Sequence, residues 1–260
     1  MISDKYVPSY KLIENNLSIR DDYNKFVRDI RKTRDKTTMI RYEISKKYLK
    51  GRGLEIGAFH APTPLADGCE ADYLDQMSID DIKTRFPKYE DYYCVYPNII
   101  ENGELLISIE DNKYDFLIAN HMIEHTENVF KTIQNHLRVL KKGGILYYAV
   151  PDKRFTFDKN RELTTYEHLK AEYLYGSENY RYEHFLDFVT NVQNVKEEKE
   201  ASKVAKKLSE EGLDTHFHVW TSETFIDHIK KAIDDKILNI EILEHTHKND
   251  IESITILKKL

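Results

Sequence analysis

Cysteine is almost absent. Cys69 and Cys94 are the two in 260 residues, and their isolation excludes both a disulfide framework and a cysteine metal knuckle. Long apolar runs are missing too, and no stretch reaches the length needed to cross a bilayer. The opening Met1-Ile2-Ser3-Asp4-Lys5 has no apolar segment behind a basic cluster. No signal peptide is therefore expected, and the chain is read as soluble and cytoplasmic. Positive charge is not in excess either: a formal charge of -6 gives no reason to expect non-specific nucleic-acid binding. Glycine is scarce, and residues 1 to about 48 contain none.

What is present begins at Leu54-Glu55-Ile56-Gly57-Ala58. An apolar strand here ends in an acid and a glycine, and a second acid, Asp75, closes another short segment. Together they describe a nucleoside site at the edge of an α/β sheet, with Asp75 placed for ribose hydroxyls. A pyrophosphate needs a glycine-rich turn that opens directly into a helix. Gly57 is followed instead by Ala58-Phe59-His60-Ala61-Pro62-Thr63-Pro64, with no further glycine and two prolines that prevent an immediate helix. A dinucleotide is disfavoured, and a nucleoside without phosphates, such as S-adenosylmethionine, fits better.

The apolar spacing of Phe26, Ile30, Ile40, Ile44 and Tyr48 predicts amphipathic helices over 1–48. Short apolar runs then alternate with helical segments, which implies βαβ units and a parallel sheet. Strands are expected at Gly53–Ile56, Asp72–Leu74, Tyr92–Val95, Asp115–Ala119 and Ile145–Val150. A helix with Val129, Ile133, Leu137 and Leu140 on one face precedes the last, and Gly143-Gly144 is placed to cap its end. Residues 49–151 are read as the cofactor-binding core. Residues 152–215, rich in Tyr, Glu, Lys and Asn, are read as a helical insertion or lid that carries the acceptor site, with a charged helix over 195–211. Residues 216–260 complete the core with a helix near Ser222–Ile233 and an antiparallel hairpin, Ile237–Leu243 and Ile251–Leu257.

Ligands of an open parallel sheet bind beyond the carboxyl ends of its strands. Those ends carry Glu55-Gly57, Asp75, Asn98 to Glu104, Asn120-His121 and Pro151-Asp152. His121 and His125 lie four apart and would share a face on a helix. Three readings stay open for them: a surface pair at a capped helix start, a general base, or a metal pair. Asp152-Lys153-Arg154 is either a charged loop or, through its two cations, a holder for an anionic acceptor. His184, and His216 and His218 in His216-Phe217-His218-Val219-Trp220, complete the histidine set. The last run reads as a half-buried strand with both histidines on its polar face. These histidines are read as shaping an acceptor pocket, and no metal is expected.

The ordered set Leu54-Glu55-Ile56-Gly57, Asp75, Asp115 to His125 and Leu137 to Gly144 resembles the class I S-adenosylmethionine-dependent methyltransferases. Ala149 to Asp158 and Glu167-His168-Leu169 resemble a narrower bacterial subgroup associated with surface-polysaccharide (capsule) biosynthesis. The resemblance spans about 50–175, with a weaker echo at His216 to Thr221. It implies a doubly wound, seven-stranded, mostly parallel Rossmann-like sheet whose last strand is antiparallel. It also implies that Glu55, Gly57 and Ala58 flank the methionine moiety, Asp75 holds the ribose, and Glu101 and Asn102 face the adenine. Asn120 and His121 would line the sulfonium side. His121 or His125 would be the base for a hydroxyl acceptor, whereas a phosphate or phosphoramidate oxygen would need no base and would rely on Lys153 and Arg154. Asp152, His168, His184, His216 and His218 complete the expected acceptor site. The implied partner is a small anionic or sugar-like acceptor. N-methylation of an amino sugar or amine, and a cofactor-binding module without catalysis, are the competing readings.

Overall fold

The computed structural model describes residues 13, 16–32, 34–89, 91–248 and 251–260. Met1 to Lys5, on which the signal-peptide expectation rests, lie outside them. The chain forms two compact units, Met1–Gly103 and Glu104–Leu260.

In the first unit, helices α1 (Leu17–Asp29) and α2 (Lys36–Tyr48) are each opened by a side-chain cap. Asn16 accepts from the Ile19 N–H and Asp35 from that of Thr38, satisfying donors that a helix start leaves unpaired. Strands β1 (Arg52–Ile56), β2 (Glu70–Asp75) and β3 (Ile99–Ile100) follow, with a short helix, α3 (Ile79–Arg85), between the last two. They are parallel, in the order β3-β2-β1. Leu54, Ile56, Tyr73 and Leu74 are buried.

The expected strand at Tyr92–Val95 does not form. Cys94 and Val95 are apolar because they pack, Cys94 against Ile79 and Ile82 and Val95 against Val27, Ala58 and Tyr73. The Val95 N–H goes to the Phe59 carbonyl, and Asn98 takes the Tyr73 N–H through its side chain. Burial here is achieved without a ladder.

The second unit holds β4 (Tyr114–Asn120), α4 (Val129–Val139), β5 (Leu140–Pro151), α5 (Tyr166–Tyr175), α6 (Arg181–Asn191), α7 (Glu198–Glu211), α8 (Ser222–Asp234), β6 (Ile240–Thr246) and β7 (Glu252–Lys259). Its strand order is β4-β5-β7-β6, with β4 and β5 parallel and β7 antiparallel to both its neighbours. Phe116 to Ala119 and Leu146 to Val150 are fully buried, as strands covered on both faces must be. Counting both units, the described residues form seven strands, and the expected terminal hairpin is present.

Gly143-Gly144 does not cap α4. The helix stops at Val139, and Leu140 is already extended and paired with Tyr114. The two glycines serve an irregularity within β5. Gly143 has φ +77°, and a Cβ on Gly144 would sit 2.8 Å from the Lys141 carbonyl oxygen. The expected strand at His216–Trp220 is also absent. All five side chains are buried, so there is no polar outer face. The segment's backbone is satisfied piecemeal: Phe217 and His218 donate to the Glu124 carbonyl, Val219 exchanges bonds with Thr164, and the Trp220 carbonyl accepts from Lys153. The charged helix begins at Glu198 rather than at 195, where the Glu197 side chain caps it. No helix among the described residues is long and apolar enough to cross a membrane.

Candidate functional site

The first unit's candidate residues collect at the carboxyl ends of its strands. Glu55 is fully buried in β1 and accepts the Thr63 N–H at 2.8 Å. Just beyond, Gly57 donates to the Leu74 carbonyl and takes φ +67°, and a Cβ built there meets nothing within 4 Å. A backbone in this conformation facing open space lets a ligand approach the chain closely. Asp75 ends β2 with its carboxylate half-buried, accepting the Gln76 N–H at 2.8 Å, and its carbonyl accepts from Glu101, which follows β3. Asn102 is exposed, whereas Ala58 packs into the core against Val27 and Tyr73.

Burial pushes the Glu55 carboxyl up to about 7, against the pull of the Thr63 bonds and of Arg41 and Arg28. A raised folded-state value means that the folded protein binds this proton more tightly than the unfolded chain does. Its stabilising contribution is therefore present below the ordinary carboxylate range and lost as pH rises through about 7. The thermal midpoint of the ligand-free protein is expected to fall between about pH 5 and about pH 8. Glu55→Gln should flatten that part of the profile, as followed by calorimetric melts across the range.

In the second unit the end of β4 is a histidine–carboxylate cluster. His121 takes φ +50°, which holds its N–H on the Ala149 carbonyl. It therefore precedes the short 3-10 turn Ile123–His125, and the expected shared helix face with His125 is not formed. The two histidines instead meet through the fully buried Glu124, neither of whose oxygens has a hydrogen bond among the described residues. Its Oε1 lies 3.6 Å from His121 Nδ1 and 4.0 Å from both His125 Nε2 and His216 Nε2. Each ring is held from its other nitrogen by a second acid: His121 by Glu252 at 2.7 Å, His125 by Asp214 at 2.7 Å and His216 by Asp158 at 2.6 Å. At His125 burial disfavours the charged ring, but Asp214 and Glu124 outweigh it and raise the ring above the usual imidazole value.

Comparison with known proteins shows the family of the chain. Residues 50–232 match the methyltransferase-domain family. The chain belongs to that family. Its cofactor is S-adenosylmethionine, and the open approach at Gly57 with carboxylates on either side suits a nucleoside without phosphates. An uncharacterized protein of Methanocaldococcus jannaschii is 30% identical over 139 residues, which are 50% of this chain and 62% of that protein. The chain thus spans less than two thirds of that relative's length. Among solved structures, a SAM-dependent methyltransferase from Aquifex aeolicus is similar at a TM-score of 0.47 and 10% identity, covering 91% of this chain and 98% of its own. A SAM-dependent methyltransferase from Methanosarcina mazei is similar at 0.45 and 20%, covering 84% and 98%.

Within this methyltransferase domain the expected acceptor residues separate into three places. His216 joins His121 and His125 around Glu124, while His168, His184 and His218 gather around Glu172. Asp152, Lys153 and Arg154 form a third group, and Asp152 is fully buried. It caps the turn Lys153–Phe155 and accepts from Ser222 N–H and, in a fork, from Arg154 Nε and Nη2 at 2.8 and 2.6 Å. Burial raises the Asp152 carboxyl, but Arg154 and the Ser222 bond hold it below its ordinary value. Arg154 also reaches Glu223, and Lys153 Nζ donates to the Arg161 carbonyl. Both cations therefore already have acceptors.

The motif reading assigns no role to four participants: Asp158, Glu172, Asp214 and Glu252. Asp158 closes the Ala149 to Asp158 resemblance, and two of the others have a signal in the sequence. Glu172 lies four residues after His168, on the same face of a helix, and Asp214 stands two before His216. Glu252, 131 positions from His121, had none.

Proposed function

We propose that the chain methylates a hydroxyl oxygen of a polar small molecule, with His125 as the general base. The observation that carries this is the setting of His125. Its Nδ1 is fixed by Asp214, its Nε2 is turned toward Glu124, and its side chain is 31% exposed. That is a base with its orienting acid, still reachable by a substrate. Bound S-adenosylmethionine supplies a methyl already activated as a sulfonium. The protein's task is to hold the acceptor oxygen in line and to remove its proton. His125 Nε2 would take that proton as the acceptor oxygen gains the methyl, the electrons of the broken S–C bond staying on the departing thioether sulfur, and Asp214 and Glu124 would stabilise the imidazolium. The resemblance assigns the ribose to Asp75, the methionine part to Glu55, Gly57 and Ala58, the adenine to Glu101 and Asn102, and the sulfonium side to Asn120 and His121.

A sugar-like acceptor is the first to test, because Ala149 to Asp158 resembles surface-polysaccharide methyltransferases. A phosphate or phosphoramidate oxygen is less well served, since Arg154 is forked onto Asp152 and Lys153 is engaged by a carbonyl. Turnover against hydroxylated, phosphorylated and amine metabolites, with mass analysis of the product, separates the oxygen reading from N-methylation. Activity that is insensitive to chelator would remove the reading of a catalytic cation at these histidines. Cofactor binding is tested by calorimetry with S-adenosylhomocysteine. Asp75→Ala is expected to bind it about tenfold or more weakly, the loss of a charge-assisted bond of roughly 1.5–3 kcal/mol. Unchanged affinity in that variant would remove Asp75 from the cofactor site, and no binding by the unaltered protein would sink the whole reading.

A further inference from the structure

The three histidines that do not join His125 converge on one buried carboxylate. His168 and Glu172 lie one turn apart on α5, which Thr165 caps by accepting the His168 N–H. His184 comes from α6 and His218 from the buried 216–220 segment. The ligand-type atoms of all four lie within 4.8 Å of one another. His168 Nε2 is 3.3 Å from His184 Nε2 and 3.1 Å from Glu172 Oε1, while His218 Nε2 is 3.4 Å from Glu172 Oε2. Metal–ligand bonds of about 2.0–2.1 Å around a tetrahedral centre set ligand atoms about 3.3 Å apart. Three of the four separations sit at that spacing. The fourth, His184 Nε2 to Glu172 Oε1, is a hydrogen-bond distance of 2.7 Å.

Hydrogen bonds alone leave this cluster incomplete. His168 and His184 turn the same ring nitrogen toward each other and toward a single Glu172 oxygen. Among the described residues the other oxygen, Oε2, and His218 Nε2 are buried without a hydrogen-bond partner, which is expensive in an interior. We propose that His168, Glu172, His184 and His218 form a four-coordinate zinc site that fastens the 216–220 segment to α5 and α6. One cation accepts all four lone pairs. Three imidazoles and a carboxylate are a zinc donor set, whereas calcium and magnesium select oxygen-rich shells. With four protein ligands there is no open position, so the ion is structural rather than catalytic. The surroundings suit it: His218 stacks on Trp220 with rings 6.2 Å apart, and His184 meets Phe217 edge-on at 5.6 Å. The His168 side chain is 27% exposed, beside a surface hollow shared with Thr165, Glu183 and His184, and gives the ion a route in. The site extends beyond the methyl-transfer reading and does not depend on it. Its consequence for the other cluster is positional, because His216 belongs to the segment that the ion would anchor.

The test is metal analysis of the full chain purified without chelator, where about one zinc per chain is expected. After chelation, added Co2+ should give the intense visible bands of a tetrahedral site, and chelation should lower the melting temperature. His168→Ala, at the most exposed of the four ligands and the substitution least harmful to folding, should weaken cobalt affinity by about tenfold or more and abolish the chelator effect on melting. Glu172→Gln and His218→Ala should lose the metal outright. His125→Ala should keep full occupancy. A chain that carries no zinc and takes up no cobalt in tetrahedral form overturns the proposal. So does metal that survives His168→Ala but is lost with His125→Ala, since the ion would then sit at the Glu124 cluster. None of these readouts requires methyl transfer, so this site and the proposed activity fail separately.

Discussion

Replacing His125 by alanine is expected to slow methyl transfer by about 10²–10⁴-fold, the usual contribution of a positioned base. Affinity for S-adenosylhomocysteine should stay unchanged, because the loss falls on proton removal rather than on cofactor binding. His125 has a raised proton affinity, with burial overcome by Asp214 and Glu124. A base must be unprotonated to work, so the rate should climb with pH through a midpoint above the ordinary imidazole value. Asp214→Asn keeps the shape but removes the charge that holds Nδ1 at 2.7 Å. It should lower that midpoint and slow the reaction less than loss of the ring. Single-turnover rates across pH read both effects. A His125→Ala enzyme with unaltered rate and pH profile would leave the acceptor already deprotonated, and the hydroxyl reading would fall.

The parts of this molecule legible in the sequence are those written in short-range chemistry. Leu54 to Gly57 spells a buried strand, an acid and a permissive backbone position within a few residues, and Asp75 ends the next strand in register with it. The terminal hairpin shows in alternating apolar residues at the end of the chain. What failed was the inference from apolar content to pairing. Cys94 and Val95 are buried in side clusters without a ladder, and His216 to Trp220 is buried by contacts from Glu124, Arg161 and Thr164, each far away along the chain. Gly143-Gly144 looks like a helix cap because a strand irregularity asks for the same positive φ. The histidines were visible as a set. Their division between Glu124 and Glu172 was not, because it depends on which helix face meets the 216–220 segment.

Arg161 holds that segment, and its loss is expected to be the most destabilising single substitution proposed for this chain. Its guanidinium is almost completely buried, donating to Asp158 at 2.8 Å, to Asp187 at 2.6 Å and to the carbonyls of His216 and Phe217 at 2.7 and 3.4 Å. Arg161→Leu removes the cation and leaves the buried Asp158 with His216 and the Thr156 hydroxyl, with two carbonyls stripped of their donor. Breaking a buried pair from one side costs about 3–5 kcal/mol, equivalent to a melting-temperature drop of roughly 6–20 °C for a domain of this size. Arg161→Lys should recover little, because a single ammonium cannot span two acids and two carbonyls as a planar fork does. The double variant Arg161→Leu/Asp158→Asn should be more stable than the sum of the two single losses predicts, since the charge left uncompensated has been removed. Urea denaturation of the four proteins measures that coupling. A cost below about 1 kcal/mol for Arg161→Leu, the size of an exposed pair, would mean that water reaches Asp158 and that the segment carrying His216 and His218 is held by something other than this arginine.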